Sequence, residues 1–296
     1  MLRTCALILA AFAASTLDWS ATANAAPSAA SEQRLSRITI RSVGEGAPVV
    51  LIPGLASSPA VYDDVAAKIG KDHRLIFVQV NGFAGSKPGA GPVEGLMPGA
   101  VDELAGWLAA NGIEKPAVVG HSMGGLMGMM LAKKHPAAAG KLLIVDSLPF
   151  YGILFGPTAT PDAVRPIVEQ MRAGLVSGST PPAVPPHMSN SEAGKAKILE
   201  WLKSSDPKTV GEALVEDATT DFRSDLPALS VIPVTVLYAA ATPEFKAMAD
   251  RLYADAYKEL PNARLVAVEN SEHFIMLDQP DRFAEEVASF LRGDRS

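Results

Sequence analysis

The run Ala117-Val118-Val119-Gly120-His121-Ser122-Met123-Gly124-Gly125 decides how this chain folds. Three apolar residues suited to a buried strand meet a glycine-bracketed turn, and Met123 to Lys134, rich in Leu and Met, continues with helical spacing. In the spacing G-x-S-x-G, Ser122 stands at a sharp strand-to-helix turn that lifts its hydroxyl above the sheet. A side chain at Gly120 or Gly124 would crowd the backbone there. Gly124, Gly125 and Gly128 read equally well as close helix-to-strand packing. The methionines at 123, 127, 129 and 130 fall on a helical period and read as core.

The same strand-then-helix grammar extends in both directions. Val49 to Ile52, Leu75 to Val80, Leu142 to Val145, Val234 to Tyr238 and Leu265 to Val268 are continuous apolar runs, the pattern of strands covered on both faces. Helical patterns at about Pro59 to Ile69, Gly99 to Ala110, Glu244 to Glu259 and Asp281 to Leu291 lie between or after them. Alternation of this kind implies an α/β fold with a mainly parallel central sheet flanked by helices. Arg34 to Arg41 alternates apolar and polar residues as a half-exposed strand does, and Gly44-Glu45-Gly46 turns it.

One stretch breaks the alternation. From residue 147 to residue 230 there is no convincing strand, only helical segments such as Asp162 to Met171 and Ala193 to Leu202 and the Pro-rich piece Thr180 to Pro186. A structureless loop of that length is improbable inside a compact domain. The spacing predicts a helical cap at 147–230 inserted into a core formed by 34–146 and 231–296. Leu148 to Phe155, apolar and aromatic, should line a pocket, pack the cap onto the core, or do both.

The N-terminus reads as a targeting segment. Arg3 precedes the apolar run Ala6 to Leu17, too short to span a bilayer, and Ala23-Asn24-Ala25 supplies small residues for a signal peptidase. The reading is a signal peptide at 1–25, a flexible leader at 26–33, and an exported, periplasmic or extracellular protein with no stable membrane span after cleavage. An uncleaved anchor is the alternative. Cleavage would leave 271 of the 296 residues at an unchanged net charge of −6, and would remove Cys5, the only cysteine. The mature protein then has no disulfide, thiolate nucleophile or Cys ligand.

Composition narrows the function classes further. With 48% hydrophobic residues, 26 Lys and Arg, and 32 Asp and Glu, the chain is neither disordered nor basic. It carries no Lys/Arg run, so a nucleic-acid partner is not implied. No metal or organic cofactor is implied either, and oligomeric state is open.

A serine hydroxyl becomes nucleophilic at neutral pH only beside a base, and five histidines compete for that role. In a parallel sheet, reactive groups gather at the carboxyl ends of strands. His73 precedes a strand and His135 ends a helix, which puts both at the wrong edge. His187 sits in the Pro-rich part of the cap as a solvated residue, and His121 faces away from the Ser122 side chain. His273, after the last strand, is the candidate general base.

Together these segments resemble the α/β-hydrolase fold family, in its lipase, esterase and C–C hydrolase branch. Gly120 to Gly125 (GHSMGG) is similar to the family's nucleophile elbow, Ser271 to Pro280 (SEHFIMLDQP) to its histidine loop, Leu51 to Ser58 (LIPGLASS) to its HG loop, and Asn81 to Pro88 (NGFAGSKP) to its D-x-x-G-x-G-x-S loop. The last two depart from the pattern, since Pro53 replaces His and Asn81 replaces Asp. The resemblance implies a Ser122–His273 pair with the main-chain N–H groups of Leu55 and Met123 as oxyanion donors. It leaves the acid open. The loop after Val234 to Tyr238, where relatives carry Asp, reads Ala239-Ala240-Ala241-Thr242-Pro243-Glu244. A second position known on this fold, at the end of the strand after the nucleophile helix, holds Asp146, which could equally tie the cap base to the sheet. Asp146 is favoured, then Glu244, then Asp250.

The implied activity is hydrolysis of carboxylic esters of small or hydrophobic substrates through an acyl-enzyme. A C–C bond hydrolase or a perhydrolase would share the triad. A non-catalytic ligand-binding protein on the same fold is the reading from a different class.

Overall fold

A computed structural model describes residues 31–156 and 158–294. The signal at 1–25 and residues 26–30 of the leader lie outside them. The chain order is β1 (Ser31–Arg34), β2 (Ile38–Val43), β3 (Ala47–Ile52), α1 (Asp63–Ile69), β4 (His73–Val80), α2 (Leu96–Ala110), β5 (Ala117–His121), α3 (Met123–Lys134) and β6 (Lys141–Val145). Then come α4 (Pro161–Ser177), α5 (Glu192–Ser204), α6 (Pro207–Thr219), β7 (Val234–Ala240), α7 (Pro243–Ala256), β8 (Arg264–Glu269), α8 (Ile275–Asp278) and α9 (Pro280–Arg292).

The strands form one sheet in the order β1-β2-β4-β3-β5-β6-β7-β8. From β4 to β8 every pairing is parallel, and β1 and β2 add antiparallel at one edge. This is the α/β-hydrolase fold expected from the sequence. The continuous apolar runs are explained by burial on both faces: Val50 and Ile52 of β3 join the core under α2, α3 and α7, while Val49 and Leu51 join the core under α1 and α9. Each such side chain, taken wholly out of water, contributes about 1.5–3 kcal/mol. Met123, Met127 and Met129 are buried in the first of these cores, with Met130 packed against it.

The N-terminal edge differs from the sequence reading. Ser31 to Gln33, assigned to the leader, belong to β1, and the single strand at Arg34 to Arg41 is instead two strands, β1 and β2, joined by a turn at residues 35–37. The turn is held from elsewhere in the chain. Asn81 Nδ2 donates to Leu35 O at 3.0 Å, Thr39 Oγ1 donates to Asn81 Oδ1 at 2.7 Å, and Arg37 N donates to Glu103 Oε2 at 2.8 Å. Local periodicity carries none of these contacts. An Asp at position 81 would lack the donor this turn uses.

Between β6 and β7 lie α4, α5 and α6. Three of the helices after β6 start with a capping side chain followed by proline: Thr160-Pro161, Asp206-Pro207 and Thr242-Pro243. Val164 and Val168 of α4 pack on Val215 and Ala218 of α6 and on Phe150. Helix α6 also reaches the core, where Glu216 accepts from Leu96 N at 2.8 Å and Met97 N at 2.6 Å at the first turn of α2.

At the junction of β5 and α3, backbones touch. A Cβ on Gly124 would lie 2.2 Å from Ile52 O, and one on Gly120 would lie 2.2 Å from Gly124 O. Both clashes are with main chain that cannot move aside. We therefore expect Gly124→Ala to destabilise the protein by about 3 kcal/mol in urea unfolding. Gly106→Ala, at an exposed site in α2 where a Cβ meets nothing within 4 Å, should gain about 1 kcal/mol. Equal effects of the two would refute the close-approach account.

Candidate active site

Ser122 follows β5 with φ 53° and ψ −125°, a conformation non-glycine residues rarely adopt. Its amide donates to Val145 O at 2.9 Å. Next to it, Asp146 follows β6 with φ 46°, its amide donating to Leu237 O at 2.7 Å. Asn270, with φ 56°, opens the loop to His273 after β8. Each of these residues leaves the carboxyl end of a strand with a positive φ, which holds its loop at one edge of the sheet.

The structure brings Ser122, His273 and Asp146 to the wall of one cavity of about 430 Å³. His273 Nδ1 lies 2.7 Å from Asp146 Oδ2. The other carboxylate oxygen, Oδ1, accepts from Ala239 N at 2.9 Å and from the Tyr253 hydroxyl at 3.0 Å. Burial pushes the Asp146 carboxyl up, but the His273 ring, the Ala239 N–H and the Tyr253 hydroxyl outweigh it and hold the group below the ordinary carboxylate range. The end of β7 thus supplies an N–H, from Ala239, rather than a carboxyl.

Glu244 and Asp250 lie elsewhere. Glu244 is exposed in the first turn of α7. Asp250 accepts from the Tyr238 hydroxyl at 2.7 Å and from Lys246 Nζ at 2.8 Å. Neither lines the cavity, so the structure pairs His273 with Asp146 and with neither of these alternatives.

Gly54 and Leu55 border the same cavity, with Gly54 beside Ser122. A Cβ on Gly54 would stand 3.0 Å from Ser122 Cβ, so only glycine lets this loop approach the serine without displacing it. Among the described residues, no acceptor claims the amide of Leu55 or of Met123.

The remaining histidines have separate environments. His73 Nδ1 contacts Ile69 O at 3.0 Å, and His135 Nε2 contacts Asp102 Oδ1 at 2.8 Å, both remote from Ser122. His121 is wholly buried between the rings of His273 and Phe274, at centroid distances of 4.6 and 4.7 Å. Its Nε2 donates to the main-chain oxygen of His273 at 3.0 Å. Burial and the neighbouring His273 charge push its pKa down to about 3, so it stays a neutral donor. His187 is exposed, as predicted, but it also lies at the cavity rim. Its main-chain oxygen accepts from His273 N at 3.0 Å, and its Nδ1 lies 3.3 Å from Glu272 Oε1. Leu148, Tyr151 and Leu154 line the cavity while Phe150 packs among the cap helices, so the aromatic segment does both things foreseen for it.

Tyr253, His121 and the Ala239 amide escape sequence reasoning because their roles arise from contacts 93 to 152 residues apart. Asp217 escapes it too. It is a buried carboxyl on α6 that lines the same cavity. Among the described residues no group of three or more His, Cys, Asp and Glu side chains could hold a metal ion, and no helix is long and apolar enough to cross a membrane.

Residues 49–286 match the sequence profile of the Alpha/beta hydrolase family. Over 86% of its length the chain is 26% identical to a pimeloyl-[acyl-carrier protein] methyl ester esterase from Aeromonas hydrophila, covering 99% of that protein. It is also 29% identical to a segment of the polyketide synthase ThaQ from Burkholderia thailandensis, over 86% of this chain but only 12% of that protein. Among solved structures, a thermophilic esterase from Thermogutta terrifontis superposes with a TM-score of 0.68 at 23% identity, covering 89% of this chain and 98% of that one.

Because the native fold lowers the Asp146 pKa, ionised Asp146 contributes stability above its unfolded value near pH ~4, and that stability is lost as pH falls through the lower native value. Thermal melts should therefore show Asp146→Asn less stable than wild type at pH 7, with the gap narrowing toward pH 3. A gap independent of pH would contradict this assignment.

Proposed function

The chain belongs to the alpha/beta hydrolase family, and within it we propose that this hydrolase cleaves carboxylic esters of small or hydrophobic substrates through an acyl-enzyme formed on Ser122. The observation that carries the reading is the 2.7 Å contact of His273 with Asp146, on the wall of the cavity that Ser122 also borders.

In this reading, Asp146 fixes the His273 tautomer with its proton on Nδ1 and leaves Nε2 to take the proton from Ser122 Oγ as it attacks the ester carbonyl. The oxyanion receives the amides of Leu55 and Met123, each worth roughly 3 kcal/mol in comparable sites. The imidazolium returns its proton to the departing alcohol. Water then attacks the acyl-enzyme by the same route in reverse. The ionised state of Asp146 and the neutral state of His121 support this division, since only His273 has to change charge during turnover. The Aeromonas relative, named for a methyl ester esterase reaction, supports an ester rather than an amide as substrate. The cavity wall, dominated by residues such as Leu148, Trp201 and Leu252, supports an apolar substrate chain. Export of the mature chain rests on Arg3, the apolar run Ala6 to Leu17 and Ala23-Asn24-Ala25. N-terminal sequencing of the protein recovered from its native host would test it, with Ala26 the expected first residue.

A fluorophosphonate probe should label wild type and not Ser122→Ala, and absence of labelling in both would favour the ligand-binding alternative. With p-nitrophenyl esters of graded length, Asp146→Asn should lower kcat by about 10³–10⁴. Glu244→Gln and Asp250→Asn should stay within about twofold of wild type, and a larger loss at either would move the acid from Asp146.

A further inference from the structure

Three carboxyls of the described residues line the cavity: Asp146 is paired with His273 and Glu272 faces the His187 ring, which leaves Asp217 with neither a partner nor a use in ester cleavage. Asp217 lies on α6, is only 6% exposed, and lines the same cavity as Ser122 and His273. Among the described residues no donor hydrogen-bonds its side chain. Much of the cavity wall is apolar, with Leu148, Leu154, Ile198, Trp201, Leu214 and Leu252. Tyr151 lies near enough for its hydroxyl to be raised, first by burial and then by the Asp217 charge, yet the two form no hydrogen bond.

A carboxyl buried without a protein partner lowers stability, and an apolar residue of similar size would suit the fold better. Burial pushes its pKa up to about 7, opposed by the His273 charge. Groups perturbed in this way cluster at functional sites. What would satisfy Asp217 is a donor brought by the ligand. A hydroxyl can donate to the carboxyl in either protonation state, and an ammonium pairs with the ionised one. A carboxylate on the substrate would be repelled, and among the described residues no Lys or Arg lines the cavity to receive one.

Resting on the ester-hydrolase reading, we propose that Asp217 is a specificity-determining residue, and that the preferred substrate is an ester whose apolar chain carries a hydrogen-bond donor, a hydroxyl or an ammonium group, away from the scissile bond. The chain fills the apolar wall, and Asp217 receives its polar end.

The test uses the purified protein in a pH-stat with methyl esters of six-, eight- and ten-carbon acids, each plain, ω-hydroxy, ω-amino or ω-carboxy. At the best-fitting length, kcat/KM for a donor-bearing ester should exceed that of the plain ester by about tenfold, and the ω-carboxy ester should be the poorest. Asp217→Leu should abolish or reverse the preference while retaining hydrolysis of the plain ester and a Tm at or above wild type. Asp217→Asn, which keeps a carbonyl acceptor, should retain the hydroxyl preference and lose the ammonium one, and it carries the test should the Leu variant not fold. Donor-bearing and plain esters within twofold of each other at every length in wild type would overturn the proposal, as would an equal loss on all esters in the variants. Failure to hydrolyse any ester together with absent fluorophosphonate labelling would overturn the reading of the site itself, and the proposal with it.

Discussion

Ser122 is held at φ 53° and ψ −125°, a conformation that costs of the order of 1–3 kcal/mol and persists only where the surroundings leave no alternative. Those surroundings are backbone. Gly124 presses on the carbonyls of Ile52 and Pro53, Gly120 on Gly124, and Gly54 on the Ser122 side chain itself. Strands β3 and β5 and helix α3 therefore meet at one point with no side chain between them. The two cores on either face of the sheet hold these elements in place, so the strain at one serine is distributed over the burial of the whole sheet.

The second constraint is electrostatic. Asp146 is largely removed from water, and an isolated carboxylate there would be driven toward its neutral form. It remains ionised because three donors meet its two oxygens: the His273 ring, the Ala239 amide and the Tyr253 hydroxyl. The donors come from three parts of the chain, which makes the carboxylate a tie between β6, β7, α7 and the histidine loop. This explains how the chain does without a carboxyl after β7. The end of β7 itself serves the acid from the donor side, through the Ala239 amide. Asp146 performs the tying role foreseen as its alternative at the same time as it contacts His273.

Legibility in the sequence follows from the range of the interactions. The parallel strands and the elbow were readable because each is written in consecutive residues: apolar runs for strands buried on both faces, and glycines at fixed offsets around Ser122. The β1–β2 turn was not, because Asn81 and Glu103 stitch it from more than 40 residues away. The choice among Asp146, Glu244 and Asp250 could not be made from spacing, since all three follow strands that end at the same edge. Only the path of the backbone after β6, turned back by the positive φ at Asp146, brings one of them to His273.

The cap and the histidine loop are not independent parts. His187 O and Met188 O accept from His273 N and Phe274 N, and Asp278 accepts from Ser189 Oγ at 2.5 Å and Glu272 N at 2.8 Å. The stretch that forms the cavity rim is thus hydrogen-bonded to the loop that carries the imidazole. From the buried side, His121 fixes the same residue by its main-chain oxygen. His273 is clamped between a core residue adjacent to the nucleophile and a cap segment adjacent to the substrate. A change in cap sequence that alters which chains the cavity admits must keep this seam, or it displaces the ring from Asp146. Variation in specificity is therefore easiest at positions such as Leu154, Leu214 and Asp217, which face the cavity from the cap and take no part in the seam.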